Sequence, residues 1–383
     1  MRNADTSSSK NMTVARVAPA FLVGLLLFAL LPIEYLGADE RAHRRRRIEM
    51  TTNALGFLSE SANRDGSFGT EHRQLQTGLS LLAFLSAGER PGSGDYGEIL
   101  KQGYGQLLEN QAVTGFAGDT LLPTESHAVA ALALCEMIGM AETPEQNRKI
   151  YRGARRALSY SLNNQDKAYG GRYGGGWKAE PRAKVNDRKV TAWQMMLLQA
   201  MEQCGADISR SATIRGISFM KGSFKQPGEE QEKLDIGGFS YDAEGLPVRS
   251  ISAAGFYCLE AFDQRETDRK AASDWFTNNP PVWRGPHFYY TQFFAVRAMR
   301  LHRWGTASAY ARHRYRHHFR RVTDLLHRQQ RPDGSFGIPP GNAEYTKSMG
   351  GVYATAMAVL ILNSERSLLP IDEIVKLGTP RID

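Results

Sequence analysis

A chain of 383 residues with 42 % hydrophobic and 23 % charged side chains is too apolar to be disordered, and long enough for two or three ordinary domains or one domain of repeats. Its formal charge of +8 is concentrated in ARHRYRHHFRRVTDLLHRQQR, Ala311 to Arg331, which reads first as the solvated face of a surface helix. No zinc knuckle, helix-turn-helix signature or RNA-binding aromatic motif accompanies that run, so nucleic acid is not an expected partner.

The N-terminus carries an apolar segment, Val17 to Ile33, followed by arginines at 41 and 44 to 47. Its 17 residues are short for a membrane span and long for a signal-peptide core. A cut after Ala38 would leave Leu36 where a small residue is preferred, so a retained anchor and a cleaved signal both stand. The anchor places the body in the cytoplasm by the positive-inside rule, and the signal places it outside. Residues 1–48 are thus a polar tail, membrane or signal helix and arginine-rich linker; 49–366 form the main domain and 367–383 a C-terminal tail.

From residue 50 onward the chain repeats. DGSFG stands at Asp65–Gly69 and again at Asp333–Gly337, with weaker cousins TGFAG, GGGWK and GGFSY between them and a degenerate unit around Trp283. The marker aromatics Phe68, Phe116, Trp177, Phe239, Trp283 and Phe336 fall 44 to 62 residues apart. Before each turn the pattern predicts an amphipathic helix, clearest in ARRALSYSLNNQ. After it comes a helix apolar nearly all round, as in TGLSLLAFLSAG, VTAWQMMLLQAM and GVYATAMAVLIL. Six such pairs predict an all-α (α/α)6 toroid, with buried helices inside, amphipathic helices outside and the first repeat packed on the last.

The turn residues Asp65, Gly66, Phe68, Trp177, Phe239, Asp333, Gly334 and Phe336 read as scaffold: glycine for a positive φ, the aromatic as a wedge between helical pairs. Gln111, Gln165 and Gln330, just before three turns, are placed to satisfy loose backbone groups at helix ends. The cysteines Cys135, Cys204 and Cys258 are widely separated and read as small buried hydrophobes. His313, His317 and His318 lack acidic or cysteine partners in sequence, so no metal or other cofactor is expected.

A helix ending in Gln, then DGSFG or GGW, then an apolar helix resembles the QW-type repeat of squalene-hopene cyclases, oxidosqualene cyclases and protein prenyltransferase beta subunits. LHRQQRPDGSFG is the best match; ESHAVAALALCEMIGM, NDRKVTAWQMMLLQAMEQCG and GGFSYDAEG resemble segments of bacterial prenyltransferase and squalene-oxidase repeat proteins. The resemblance covers roughly residues 50 to 365 and implies the terpenoid-cyclase fold.

The activity that the resemblance implies can be tested on residues. Cyclases of this superfamily that protonate an alkene or epoxide carry D-x-D-D-T-A, with the middle aspartate as acid, because protonating carbon needs a strong acid kept neutral and backed by a second carboxyl. The corresponding stretch here is Asp187-Arg188-Lys189-Val190-Thr191-Ala192, with Lys189 and Val190 in place of the acid pair. The zinc set of the prenyltransferases is also missing, since Cys258 lacks the Asp-x-Cys spacing. Asp187 is left as the candidate acid, and Lys189 as its expected salt-bridge partner.

Glu125, His127, Thr191, Trp193, Tyr289, Tyr290 and Tyr353, near the starts of inner helices, are expected to line a central cavity suited to an isoprenoid-like ligand. The leading reading is a membrane-associated, terpenoid-cyclase-like toroid that binds such a ligand without proton-initiated cyclisation. Two others stand beside it: an active terpene cyclase or prenyl-transfer enzyme with a displaced acid, and a non-catalytic scaffold docking protein or anionic lipid.

Overall fold

The computed structural model describes residues 33–169, 173–227, 235–242, 244–285, 287–306, 308–341, 344–366 and 368–372. The chain divides into two compact units, 1–48 and 49–383. The apolar N-terminal segment, up to residue 32, lies outside the described residues, among which no helix is long and apolar enough to cross a membrane.

Twelve α-helices are described: α1 (Ile33–Glu60), α2 (Arg73–Ala87), α3 (Gly97–Glu109), α4 (Pro123–Glu136), α5 (Pro144–Asn164), α6 (Arg188–Gln203), α7 (Arg210–Lys221), α8 (Arg249–Ala261), α9 (Glu266–Asn278), α10 (Phe288–Gly305), α11 (Ala309–His327) and α12 (Glu344–Asn363). Two short strands, β1 (Trp177–Lys178) and β2 (Asn186–Asp187), pair antiparallel ahead of α6. The even-numbered helices from α2 to α12 are buried almost throughout and pack on one another in order, with α12 returning to α2. The inner ring is therefore closed. The odd-numbered helices bury one stripe, as in α5, where Ile150, Ala154, Ala157, Leu158 and Ser161 face inward while Arg155 and Arg156 are exposed.

One hydrogen bond recurs at the turns and ties each to the inner helix it precedes. The aromatic's N–H donates to a hydroxyl one turn into that helix, or in α12 one turn past its kink at Gly350: Phe68 to Thr77 at 2.9 Å, Trp177 to Thr191 at 3.0 Å, Phe239 to Ser252 at 2.9 Å and Phe336 to Thr355 at 3.0 Å. In the second repeat the Ala117 N–H donates to His127 Nδ1 at 3.0 Å instead. The aromatic rings Phe68, Trp177, Phe239 and Phe336 are all buried, as wedges should be.

Both DGSFG copies are built alike. Asp65 Oδ1 accepts from the Ser67 N–H (3.1 Å) and hydroxyl (2.7 Å), and Asp333 Oδ1 accepts from Ser335 at 3.0 and 2.7 Å. Gly66 (φ 81°) and Gly334 (φ 85°) then lie against the next outer helix, where an added Cβ would sit 2.6 Å from the Gln102 carbonyl carbon and 2.2 Å from the Asn53 oxygen. Gln330 Nε2 donates to Met50 O (2.8 Å) and to Gly334 O (3.2 Å), binding the last turn to the first outer helix. Gln111 and Gln165 bridge their turns to α5 and α7 in the same way. The first and last repeats are neighbours because each turn is built to grip the next hairpin.

The ends of the ring differ. At the C-terminal ends of the inner helices, Leu369 and Ile371 are buried, the short 3-10 turn Pro370–Asp372 packs on α6, and the Ile371 N–H donates to buried Glu136 at 3.1 Å. Beside it Cys135 Sγ lies 3.4 Å from Cys204 Sγ, which is only partly buried, so two of the cysteines form a pair that their sequence separation conceals. The Cys204 contact, together with burial, pushes the Cys135 thiol well up.

Candidate functional site

The N-terminal ends of the inner helices form the other face. Three of these helices start from non-glycine residues with left-handed backbone: His72 (φ 49°) before α2, Leu122 (φ 56°) before α4 and His287 (φ 62°) before α10. Each costs about 1–3 kcal/mol, offset by the packing that holds it in place. Two of the three, Leu122 and His287, line a cavity of about 160 Å³ together with Glu125, Ala179, Asp187, Lys189 and Val190.

Asp187 ends β2 and caps α6, its Oδ1 accepting from the Val190 N–H at 3.0 Å. Lys189 does not pair with it among the described residues; its ammonium Nζ lies 3.4 Å from His287 Nε2. That contact corrects the expected Asp187–Lys189 salt bridge. Burial, and then the Lys189 charge, push the His287 imidazole down to about 4 against the opposing pull of Asp187, so the ring is neutral and accepts from the lysine. Arg188 turns away: its guanidinium stacks over Phe219 at 4.5 Å and donates to Tyr241 O, and burial lowers it to about 10.

Glu125 is buried and accepts from Trp193 Nε1 at 3.1 Å. Tyr290 donates its hydroxyl to Lys189 O at 2.9 Å. The cavity lining is therefore held from behind by two aromatic side chains. Trp193, on α6, stacks on Phe293 (5.0 Å between centroids) and meets Phe294 (5.1 Å) and Tyr290 (6.2 Å) edge-on, all three on α10. The helices α6 and α10 flank α8 in the ring, so these contacts span one helix on the inner side of the ring.

Other expected lining residues make contacts within the scaffold, and His127 also lines the groove described below. Thr191 holds the third turn through the Trp177 N–H. His127 takes the place of that threonine in the second repeat, and its Nε2 reaches Ala157 O (3.2 Å) and Ser161 Oγ (3.0 Å); full burial lowers it to about 4. Tyr289 donates to Gly337 O at 2.6 Å, in the last repeat's turn. Tyr353 packs edge-on against Tyr289 at 6.4 Å, and burial raises its hydroxyl, with Glu125 contributing. His287 was not among the residues expected to line the cavity; its one signal in the sequence is its place just before the Phe288–Tyr290 aromatics. Among the described residues no cluster of three or more His, Cys, Asp or Glu is placed to hold a metal ion.

A second opening, a polar groove of about 450 Å³, runs beside this mouth between the C-terminal end of α5 and the starts of α4 and α6. Asn163, Asn164, Asp166, Lys178, Glu180 and Asn186 line it.

No family model and no curated protein matches the sequence. Solved structures match the fold. The GH76A α-1,6-mannanase of Salegentibacter sp. HEL1_6 superposes with a TM-score of 0.60 at 10 % identity, over 84 % of this chain and 99 % of that one. The type II terpene cyclase MstE from Scytonema, solved with its substrate geranylgeranyl dihydroxybenzoate, gives a TM-score of 0.54 at 16 % identity, over 86 % and 100 %. A GH76 α-mannanase from Bacteroides thetaiotaomicron gives 0.55 at 13 %, over 84 % and 96 %. The chain is an α/α toroid of the kind shared by terpene cyclases and GH76 mannanases.

Proposed function

We propose that this protein is a membrane-associated toroid that binds one end of a hydrophobic, isoprenoid-like ligand at the mouth of its inner helices and does not start a cyclisation by protonation. The observation that carries this reading is the state of the acid position. The Asp187 carboxylate is engaged as a helix cap, and the residue two places on is a lysine turned to a neutral histidine. Neither arrangement supplies a neutral carboxylic acid aimed into an apolar space. The terpene cyclase neighbour, with its bound prenylated substrate, supports the ligand class. The volume limits what enters: about 160 Å³ is close to the ~150 Å³ apolar cavity that takes one benzene ring, and below the ~300–1,000 Å³ of sites enclosing a whole ligand. One prenyl unit enters and the remainder of the chain lies across the mouth.

Geranylgeraniol titrated against the full-length protein should perturb tryptophan emission through Trp193, and Val190→Phe, which fills the cavity, should weaken binding at least about tenfold. Absence of binding to the unaltered protein would overturn the reading.

A second reading rests on the polar groove. The Gln194 and Asn186 side-chain oxygens are buried there without a hydrogen-bond partner, and ligand hydroxyls are suitable donors for them. A mannanase neighbour was solved with α-1,6-mannotriose, as an inactive variant with two adjacent aspartates replaced. This chain has no two adjacent aspartates anywhere, so the reading is saccharide binding without that pair. Mannotriose binding abolished by Gln194→Leu supports it; no binding at millimolar concentration removes it.

A further inference from the structure

The basic run read from sequence as a solvated helix face becomes more specific in three dimensions. On α11 the exposed side chains Arg312, His313, Arg316, His317, Arg320 and Arg321 recur at i, i+1, i+4, i+5, i+8 and i+9, and Arg328 continues the stripe. No carboxylate is exposed between residues 309 and 328; Asp324 is half-buried. On the adjoining outer helix, Asp274 pairs with Arg314 and Lys270. A helix this one-sided in charge is an electrostatic surface for an anion.

Two further observations choose the kind of anion. A pocket of about 310 Å³ opens between α9 and α11, with His313, His317 and Arg321 on its rim and Phe276, Met299 and Pro281 inside it. Buried Arg314 and His318 add polar groups beside these apolar side chains, so the pocket offers a headgroup a cationic wall and the glycerol and upper acyl chain an apolar one, which a free phosphate would use only in part. Two large aromatics are also exposed beside the stripe: Trp304 at the end of α10 and Tyr310 at the start of α11, each 58 % accessible. Tryptophan and tyrosine at the edge of a basic surface suit the headgroup layer of a bilayer, where an amphipathic ring sits between water and chains.

We propose that α11 and the adjoining pocket form a peripheral docking surface for an anionic lipid bilayer, with the arginine stripe on the headgroups, one lipid in the pocket between α9 and α11, and Trp304 and Tyr310 in the interface. This surface is independent of any ligand at the mouth and of the N-terminal apolar segment. Each arginine near an anionic surface contributes about fivefold in binding, so three act about a hundredfold.

The test is co-sedimentation of the full-length protein with phosphatidylcholine vesicles, with and without 30 % phosphatidylserine. The anionic lipid should strengthen binding, and Arg316→Glu/Arg320→Glu/Arg321→Glu should remove at least about a hundredfold of that gain. Arg44→Gln/Arg45→Gln/Arg46→Gln, the control for the N-terminal linker, should leave most of it. Trp304 is the exposed one of the five tryptophans, so vesicle binding should shift emission to the blue, and Trp304→Phe should abolish that part of the shift. A gain that disappears with the linker variant and survives the stripe variant overturns the proposal. So does competition by millimolar inorganic phosphate at constant ionic strength, which would make the pocket a phosphate site. Tighter binding of an RNA oligonucleotide than of vesicles, lost in the same stripe variant, overturns it in favour of nucleic acid.

Discussion

The two ends of the ring are made by the same six inner helices, yet one is closed and the other is not. At the C-terminal end, residues 368–372 fold back over α6, Ile371 donates to Glu136, and Cys135 meets Cys204. At the N-terminal end, two helices start from left-handed Leu122 and His287, and these residues surround a cavity. One end is covered by residues 368–372, which add a hydrogen bond to Glu136. The other carries local strain and unfilled volume, the combination expected where a fold gives up stability for binding.

The contrast can be broken most severely at the turns that create both ends. Gly334→Ala combines a left-handed backbone with a Cβ 2.2 Å from the Asn53 oxygen; it should cost about 4 kcal/mol in urea denaturation and loosen ring closure. A loss below about 1 kcal/mol would mean that the last turn does not grip the first helix.

Next in size is the acid response. His127 titrates at about 4 in the fold against an ordinary 6.5, so below 6.5 the unfolded chain binds the extra proton and stability falls as pH drops toward 4. The share of this one buried ring is about 3 kcal/mol. His127→Thr, which restores the hydroxyl used in the other repeats, should fold and melt with a visibly shallower pH dependence over that window. An unchanged pH profile would show that His127 is not buried as a neutral ring.

Thr191→Val leaves the buried Trp177 N–H without its acceptor and should cost about 2 kcal/mol. Its ligand affinity at saturating stability should stay within about twofold, separating a scaffold threonine from a binding one. The mildest change is Lys189→Met. Removing that charge should raise the His287 titration, followed by NMR, above about 4 while burial keeps it below 6.5. No movement would place the lysine away from the imidazole.

Much of the ring was legible because its rules are local. A glycine turn, a wedge aromatic and a preceding glutamine lie within a few residues of one another, and they recur. What was not legible is the set of pairings made by ring closure. Lys189 and His287 are 98 positions apart, and Glu125 and Trp193 are 68 apart. Nothing in either segment announces the other. His127 hid its role because histidine does not resemble the threonine it replaces, although both accept the same backbone proton. The aromatic backing of the cavity was hidden for a related reason: Trp193 and Phe293 each look like ordinary core residues, and only the fold brings them together. Leu369 and Ile371 sit in too short an apolar stretch to be read as a seal.

The central claim is that the mouth binds a prenyl chain and leaves it linear. Purified full-length protein incubated with linear C20 and C30 isoprenoids, then analysed by native and product mass spectrometry, tests it directly. The account predicts a bound isoprenoid recovered uncyclised, from both the unaltered protein and Asp187→Asn. Cyclic product that disappears in Asp187→Asn would contradict it.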